Sequence, residues 1–542
     1  MYESLAGPIK PELPAPKNAL STALRKKLSI GPGCLASEID WRFITNNIVS
    51  DETLHKSIQA SEVNSMLAAM PHDVRVESGR KLLDVVRPDN LTFDLLMDSY
   101  ATLAQVDSAL EMFDKSRQAG ITPSVYSYAH LMKAFAVVKD LPRASAMYKY
   151  MQQQGVEPNL VVTTSLMATC IRTGQVDQAF SIFDTLKYKS ASSAPDAQTY
   201  SLVIFACALD PQMSAERASD LFTEMTERGL KPTRETYNAL IHVYSKRNDY
   251  FTEAWRISED MLRSGIEMDK VTWHSLLSAC ITNRDLIRAR TLVRQMDKIG
   301  NRSPTWRPDA ITYQLLFRNY ARAKVRRSLT PANVLQSDRA IQAKQLSEVW
   351  VDETPFTSDA VLRESAQVMH QLQDSRPELL STQLIDTYMT IAQSFEAPER
   401  FMQDWNALYR DHEKGRHSYQ IGLAASYTFK DWTLLQQVWA ERQAWRAQCA
   451  DVTTPSARSR KDEYGDFEAT RMYIESLSRL NRIFQATQVL EQARTKYHFK
   501  KHDLKCFQTK SIQVGDEDAV LLYRDMFPER ESRSAGTGHY YY

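Results

Sequence analysis

Three side chains, His498, His502 and Cys506 in "YHFKKHDLKC", have the types and the spacing of four to ligate a metal from one face of a continuous helix. That segment reads as a turn between helices, and no fourth ligand accompanies it, so no metal is assigned. The chain has no Gly-rich phosphate loop, no His-Glu-x-x-His and no Cys-x-x-Cys. It also lacks a dense carboxylate set resembling a metal-dependent nuclease. No catalytic residue and no cofactor are expected, and the protein reads as a non-enzyme. What remains is hydrogen-bonding and cationic chemistry. In "GLKPTRETYNALIHVYSKRNDY", Asn238 directly follows Tyr237 and offers a donor and an acceptor on a short stem. In "FRNYARAKVRR", Arg318, Arg322, Lys324, Arg326 and Arg327 gather without an acid, which suits a nucleic-acid backbone or a solvated helix end.

The whole chain adds no field of its own to those groups. Its 542 residues carry 67 basic and 66 acidic side chains, so any polyanion must be bound locally. Hydrophobic content of 43% supports a packed core, and 16 glycines are few, as suits a protein made mostly of helices. No apolar run reaches the length of a membrane span. From Lys17 to Ile30, Leu20, Leu24 and Leu28 recur at helical spacing among Arg25, Lys26 and Lys27. Residues 1–35 therefore read as a transit peptide or as a disordered basic arm.

The elements that must position Asn238 appear as an internal repeat. Helical segments open on Phe93, Tyr128, Thr163, Tyr200, Tyr237, Trp273 and Tyr313, at steps of 35, 35, 37, 37, 36 and 40. Small residues that let two helices approach follow at Ala109, Ala144, Ala179, Ala218, Ala254 and Ala289. Gly120, Gly155, Gly229, Gly265 and Gly300 are placed to end the second helix in a left-handed cap, and Pro123, Pro158, Pro195, Pro232 and Pro308 to start the next unit. Each unit is helix, turn, helix, loop. Because neither helix buries its apolar stripe alone, neighbouring pairs must stack. The expected fold is all-α, an α-solenoid of stacked antiparallel helix pairs. Cys170, Cys207 and Cys280 fall seven residues after the opening position, where other units place Tyr100, Phe135, Tyr244 and Tyr320, so they read as buried hydrophobes rather than disulfide partners or ligands.

The segments "PTRETYNALIHVYSK", "PDAQTYSLVIFACAL" and "MDKVTWHSLLSACIT", with endings such as "LFTEMTERGLKP", resemble pentatricopeptide repeats of the P-type from about residue 89 to 323. The resemblance implies single-stranded RNA binding, one base per repeat. The residue after the opening position and the last residue of the repeat would contact a base edge together. These pairs are Asp94 with Ser124, Ala129 with Asn159, Thr164 with Asp196, Ser201 with Thr233, Asn238 with Asp269, and His274 with Asp309. Asn238 with Asp269 resembles a uracil reader and Thr164 with Asp196 a guanine reader. Three residues earlier, the family places a side chain that wedges between bases. Leu91, Tyr126, Val161, Val271 and Ile311 fit that role, while Gln198 and Glu235 depart from it. Nine residues after the opening position, Arg172, Lys246 and Arg322 stand where the family contacts phosphate.

The expected organisation is an N-terminal helical cap with a degenerate repeat over 36–88, the repeat solenoid over 89–323 and an irregular insertion over 324–358. Degenerate helical repeats over 359–527 and a disordered tail over 528–542 complete it. The insertion falls in the turn of the repeat that opens at Tyr313. Beyond Pro377, seven helical patterns run from "LLSTQLIDTYMTIAQ" to "DAVLLYRDMF". The expected function is RNA binding in the mitochondrial matrix, in rRNA or mRNA 5′ processing, stabilisation or translation. The alternatives are a structural component or assembly factor of the mitochondrial small ribosomal subunit, or a protein-binding scaffold for respiratory-complex assembly.

Overall fold

The computed structural model describes residues 22–28, 39–52, 57–188, 194–210, 215–300, 306–324, 355, 357–452 and 460–527. Expectations for residues 1–21, 29–38, 325–354 and 528–542, including those for Arg326 and Arg327, lie outside the described residues. The chain divides into two compact units, Met1–Thr282 and Asn283–Tyr542. Among the described residues, regular structure is helical throughout, and no helix is long and apolar enough to cross a membrane.

The first unit begins with α1 (Thr22–Lys27), α2 (Trp41–Ser50), α3 (Ala60–Ala69) and α4 (His72–Leu83). Leu24 and Leu28 are buried in one apolar cluster with Trp41, Ile44, Ile48, Val63 and Leu67, and the Lys27 ammonium donates to the Glu62 carboxylate at 2.9 Å. Five helix pairs follow, together with the first helix of a sixth. The first helices are α5 (Asn90–Thr102), α7 (Val125–Val138), α9 (Leu160–Arg172), α11 (Ala197–Cys207), α13 (Arg234–Tyr244) and α15 (Lys270–Asn283). The second helices are α6 (Val106–Gln118), α8 (Leu141–Gln153), α10 (Val176–Lys187), α12 (Ala215–Glu227) and α14 (Phe251–Arg263). Each second helix packs on its own first helix, and first helices pack side by side along the chain, as α5 does on α7 and α11 on α13.

The repeat signature is explained by that packing. Every opening residue from Phe93 to Trp273 is buried, as are all the alanines from Ala109 to Ala254 and the residues seven after each opening position. In three repeats an aromatic four residues beyond the alanine receives the next opening ring. Phe113 meets Tyr128 edge-on at 5.3 Å between centroids, and Phe183 meets Tyr200 at 5.2 Å. Edge-to-face pairs of this kind add about 0.5–1.5 kcal/mol to the burial of their area. Cys170, Cys207 and Cys280 are buried, and burial pushes the Cys170 and Cys207 thiols up to about 11 and about 12. Gly120, Gly155, Gly229 and Gly265 have φ between +73° and +76°, as their capping role requires.

Gly300 does not follow them. The helix α16 (Leu286–Gly300) runs through it, and it is buried where a Cβ would stand 2.8 Å from the Arg307 backbone. The expected left-handed cap is therefore replaced by a close backbone approach.

In the second unit, the first helices α17 (Ala310–Arg322), α19 (Thr382–Ser394), α21 (Arg416–Phe429), α23 (Arg460–Arg479) and α25 (Lys505–Val514) pack each on the next. Their second helices are α18 (Ser358–Ser375), α20 (Pro398–Leu408), α22 (Trp432–Val452), α24 (Ile483–Arg494) and α26 (Glu517–Met526). All seven patterns beyond Pro377 are helices. An eighth, α25, stands where a turn was expected at Cys506, since "KCFQTKSIQV" has too weak an apolar stripe to announce itself. The partner of α17 is α18, so the long insertion falls between the two helices of one pair.

That pair is closed by buried ions. The Arg290 guanidinium on α16 donates from Nε and Nη2 to the two Glu364 carboxylate oxygens at 2.7 and 3.0 Å, and the Tyr320 hydroxyl donates to the same carboxylate. Arg290 and Glu364 are each 4% exposed. Burial pushes the Glu364 carboxyl up, with Tyr320 and Arg290 opposing it. Replacing Glu364 with Ala strands a buried cation, and urea denaturation should register a loss of about 3–5 kcal/mol. A loss below about 1 kcal/mol would contradict the closure assigned to this triad.

Candidate nucleic-acid interface

The last residue of each repeat turns out to be the N-cap of the next first helix. The Asp89, Asn159, Asp196, Asp269 and Asp309 side chains accept from the backbone N–H three residues on, at 2.8–3.0 Å, and Ser124 and Thr233 do so at 3.1 and 3.3 Å. The proline that precedes most of them holds the chain extended on entry to the helix. In all but one repeat, the residue just before the opening position is Ser or Thr: Thr92, Ser127, Thr199, Thr236, Thr272 and Thr312. All are buried, and each shares its hydroxyl with the cap. This member of the junction was overlooked in the sequence, although its regular place before each aromatic could have disclosed it.

Within the first unit, the residue after the opening position reaches this cap directly in two cases, Asn238 and Asp94. Asn238 is the fullest case. Its Nδ2 donates to Asp269 Oδ1 at 3.1 Å, and Thr272 Oγ1 donates to Asn238 Oδ1 at 2.6 Å. Asp94 accepts from Ser124 Oγ at 3.0 Å and from Ser127 Oγ at 2.5 Å, and burial pushes its carboxyl up. Thr164 donates to the Leu160 carbonyl at 2.7 Å and touches Asp196 only through Thr199, 3.4 Å away. Ser201 donates to the Ala197 carbonyl at 2.7 Å and lies 2.7 Å from Thr236, which links it to Thr233. Ala129 is buried and brings no polar group to Asn159. His274 is buried on α15, while Asp309 caps α17 in the second unit.

The structure thus joins Asn238 with Asp269 and Asp94 with Ser124 directly. Thr164 with Asp196 and Ser201 with Thr233 are joined through a Thr. Asn238 keeps one Nδ2 hydrogen and one Oδ1 lone pair, an adjacent donor and acceptor suited to a base edge. It is only 1% exposed, so in this structure that donor and acceptor face the helix junction rather than solvent.

The wedge positions are more open. Tyr126 and Ile311 are exposed, and Leu91, Val161 and Val271 are half-buried at the starts of their helices. Lys246 and Arg322 are exposed. Arg172 is half-buried, with Nη1 donating to the Ala136 carbonyl at 2.9 Å, so it binds its neighbouring repeat. His498 lies in a loop, His502 on a 3₁₀ turn (Lys501–Leu504) and Cys506 on α25. Among the described residues, no three His, Cys, Asp or Glu side chains are placed to hold a metal.

Models of the pentatricopeptide repeat match residues 84–135, 111–170, 151–210 and 194–247, and further repeat models match 234–282 and 271–301. Residues 84–301 are a run of pentatricopeptide repeats. It is 24% identical to the mitochondrial 15S rRNA processing factor CCM1 of Yarrowia lipolytica, over 86% of this chain and 73% of that protein. It is 23% identical to the mitochondrial 15S rRNA processing factor ppr3 of Schizosaccharomyces japonicus, over 66% of this chain and 55% of that protein. Among solved structures, the maize pentatricopeptide repeat protein PPR10 is similar over 93% of this chain and 80% of its own, at 15% identity and a TM-score of 0.42.

Because one hydrogen-bond network serves both the repeat junction and Asn238, its members should be energetically coupled. In a thermal or urea double-mutant cycle, Asn238→Ala and Thr272→Ala should show a coupling of at least about 0.5 kcal/mol. Asp269→Ala alone should lose about 1 kcal/mol through the cap, most of it recovered by Asp269→Ser. Additive losses would contradict the shared junction.

Proposed function

We propose that this protein binds single-stranded RNA along the first helices of its N-terminal unit and acts in the processing of mitochondrial small-subunit rRNA. The observation that carries the assignment is the extent of the match to the Yarrowia lipolytica 15S rRNA processing factor, which runs over 86% of this chain and includes the C-terminal unit as well as the repeats. The junction geometry supports a base-contacting role for the N-terminal unit. Asn238 with Asp269, Thr164 with Asp196, Ser201 with Thr233 and Asp94 with Ser124 stand in one register on successive first helices, as one-base-per-repeat recognition requires.

In this reading the side chains divide the work. Tyr126, Leu91, Val161 and Val271 flank the bases, and a base stacked on an aromatic platform such as Tyr126 contributes about 1–3 kcal/mol. Lys246 offers a cation to the backbone. The site of action is the mitochondrion, with the matrix as the compartment where an rRNA precursor would be met.

Crosslinking the protein to RNA in living cells and sequencing the bound fragments should recover small-subunit rRNA or its precursor. Depletion of the protein should let the unprocessed precursor accumulate. Recovery of messenger leaders alone would favour an mRNA role, and recovery of no RNA would favour a protein-binding scaffold; either overturns the rRNA assignment.

A further inference from the structure

The Asn238 network occurs a second time, in a helix pair outside the region that the repeat models match, which begins at residue 84. Asn64 follows the buried Val63 on α3, and its Nδ2 donates to Asp89 Oδ1 and Oδ2 at 2.9 Å each. Thr92 Oγ1 donates to Asn64 Oδ1 at 2.7 Å, and Asp89 Oδ1 accepts from the Thr92 backbone N–H at 2.8 Å while capping α5. Each bond has its counterpart among Asn238, Asp269 and Thr272, at 3.1, 2.6 and 2.9 Å. Both asparagines are buried, and the residue three before each is polar, Ser61 and Glu235. The first-helix side chains between them behave differently: Thr164 and Ser201 return their hydroxyls to their own helices, and Ala129 has none.

The chemistry that remains is also the same. With one amide hydrogen on Asp89 and one lone pair on Thr92, Asn64 keeps an adjacent donor and acceptor, as Asn238 does. Burial works to raise the Asp89 carboxyl, but the hydrogen bonds from Asn64 and Thr92 outweigh it and hold the group below its ordinary range. Asp89 therefore stays an anionic acceptor that fixes the orientation of the Asn64 amide, leaving its free N–H and lone pair in a defined direction.

Resting on the base-reading role proposed above, we infer that Asn64 and Asp89 form a further base-reading pair with the same preference as Asn238 and Asp269. Counting Asn64, Asp94, Ala129, Thr164, Ser201 and Asn238 in register, the two like bases stand five positions apart on the bound strand. By the resemblance that covers Asn238 with Asp269, that base is uracil, whose ring N–H and carbonyl match a free acceptor and donor.

The test is selection of RNA from a randomised pool by the purified full-length chain, followed by sequencing. The wild-type pool should converge on a motif with uracil at two positions five apart. Asn64→Ala should lose one of these and Asn238→Ala the other. Affinity for the wild-type motif should fall by about five- to a hundredfold in each case. Asn64→Thr, which imitates Thr164 with Asp196, should move its position from uracil to guanine, a change that a merely structural contact would not produce. If the Asn238 variant alters the motif while both Asn64 variants select the wild-type sequence, the inference fails and base reading stands. If no variant alters the motif, or no motif emerges, both fail.

Discussion

The N–H groups at the start of a helix have no partner within it, and here they are satisfied by the last residue of the preceding repeat. Everything specific to the candidate interface depends on that requirement. Asp269 must sit at the start of α15 to accept from Thr272, and this brings its carboxylate within reach of Asn238 on the neighbouring first helix. The cap, the buried hydroxyl and the first-helix side chain then form one network. The side chain proposed to read a base is thereby held in place by the bonds that stack the repeats.

The same constraint accounts for the variety among repeats. The cap position accepts Asp, Asn, Ser or Thr, all of which satisfy the helix end, so the stack survives exchanges among them. The residue after the opening position is equally free, provided that it is small enough to be buried. Ala129 leaves its cap without a side-chain link, and the packing of α7 on α9 continues beside it. In the second unit, Asp386 after Ile385 on α19 is bound at 2.5 Å by the Tyr409 hydroxyl and is buried. There the polar position serves the pair itself, in keeping with the loss of the repeat signature.

Much of the fold was legible because its cause is periodic. The opening aromatics, the alanines and the residues seven beyond each opening all mark sites where packing admits few side chains, and all are buried. Gly300 could not be read correctly, because a glycine required by close approach to Arg307 looks the same as one required by a positive φ. The helix α25 escaped notice because Phe507 is buried in an otherwise polar stretch, and packing on α23 rather than an apolar stripe holds it. Asn64 was hidden because Val63, not an aromatic, precedes it and the step to Phe93 is 30 residues. The Arg290–Glu364 contact joins residues 74 apart, across the insertion, and no local pattern encodes it.

The central claim is that RNA lies against the first helices of the N-terminal unit, at the junctions they form. Photocrosslinking the full-length chain to a 4-thiouridine-substituted small-subunit rRNA precursor, with identification of the modified peptides, tests it most directly. The account predicts adducts within or at the starts of α3, α5, α7, α9, α11, α13 and α15, with those of α13 prominent. Adducts confined to second helices such as α12 and α14 would contradict it.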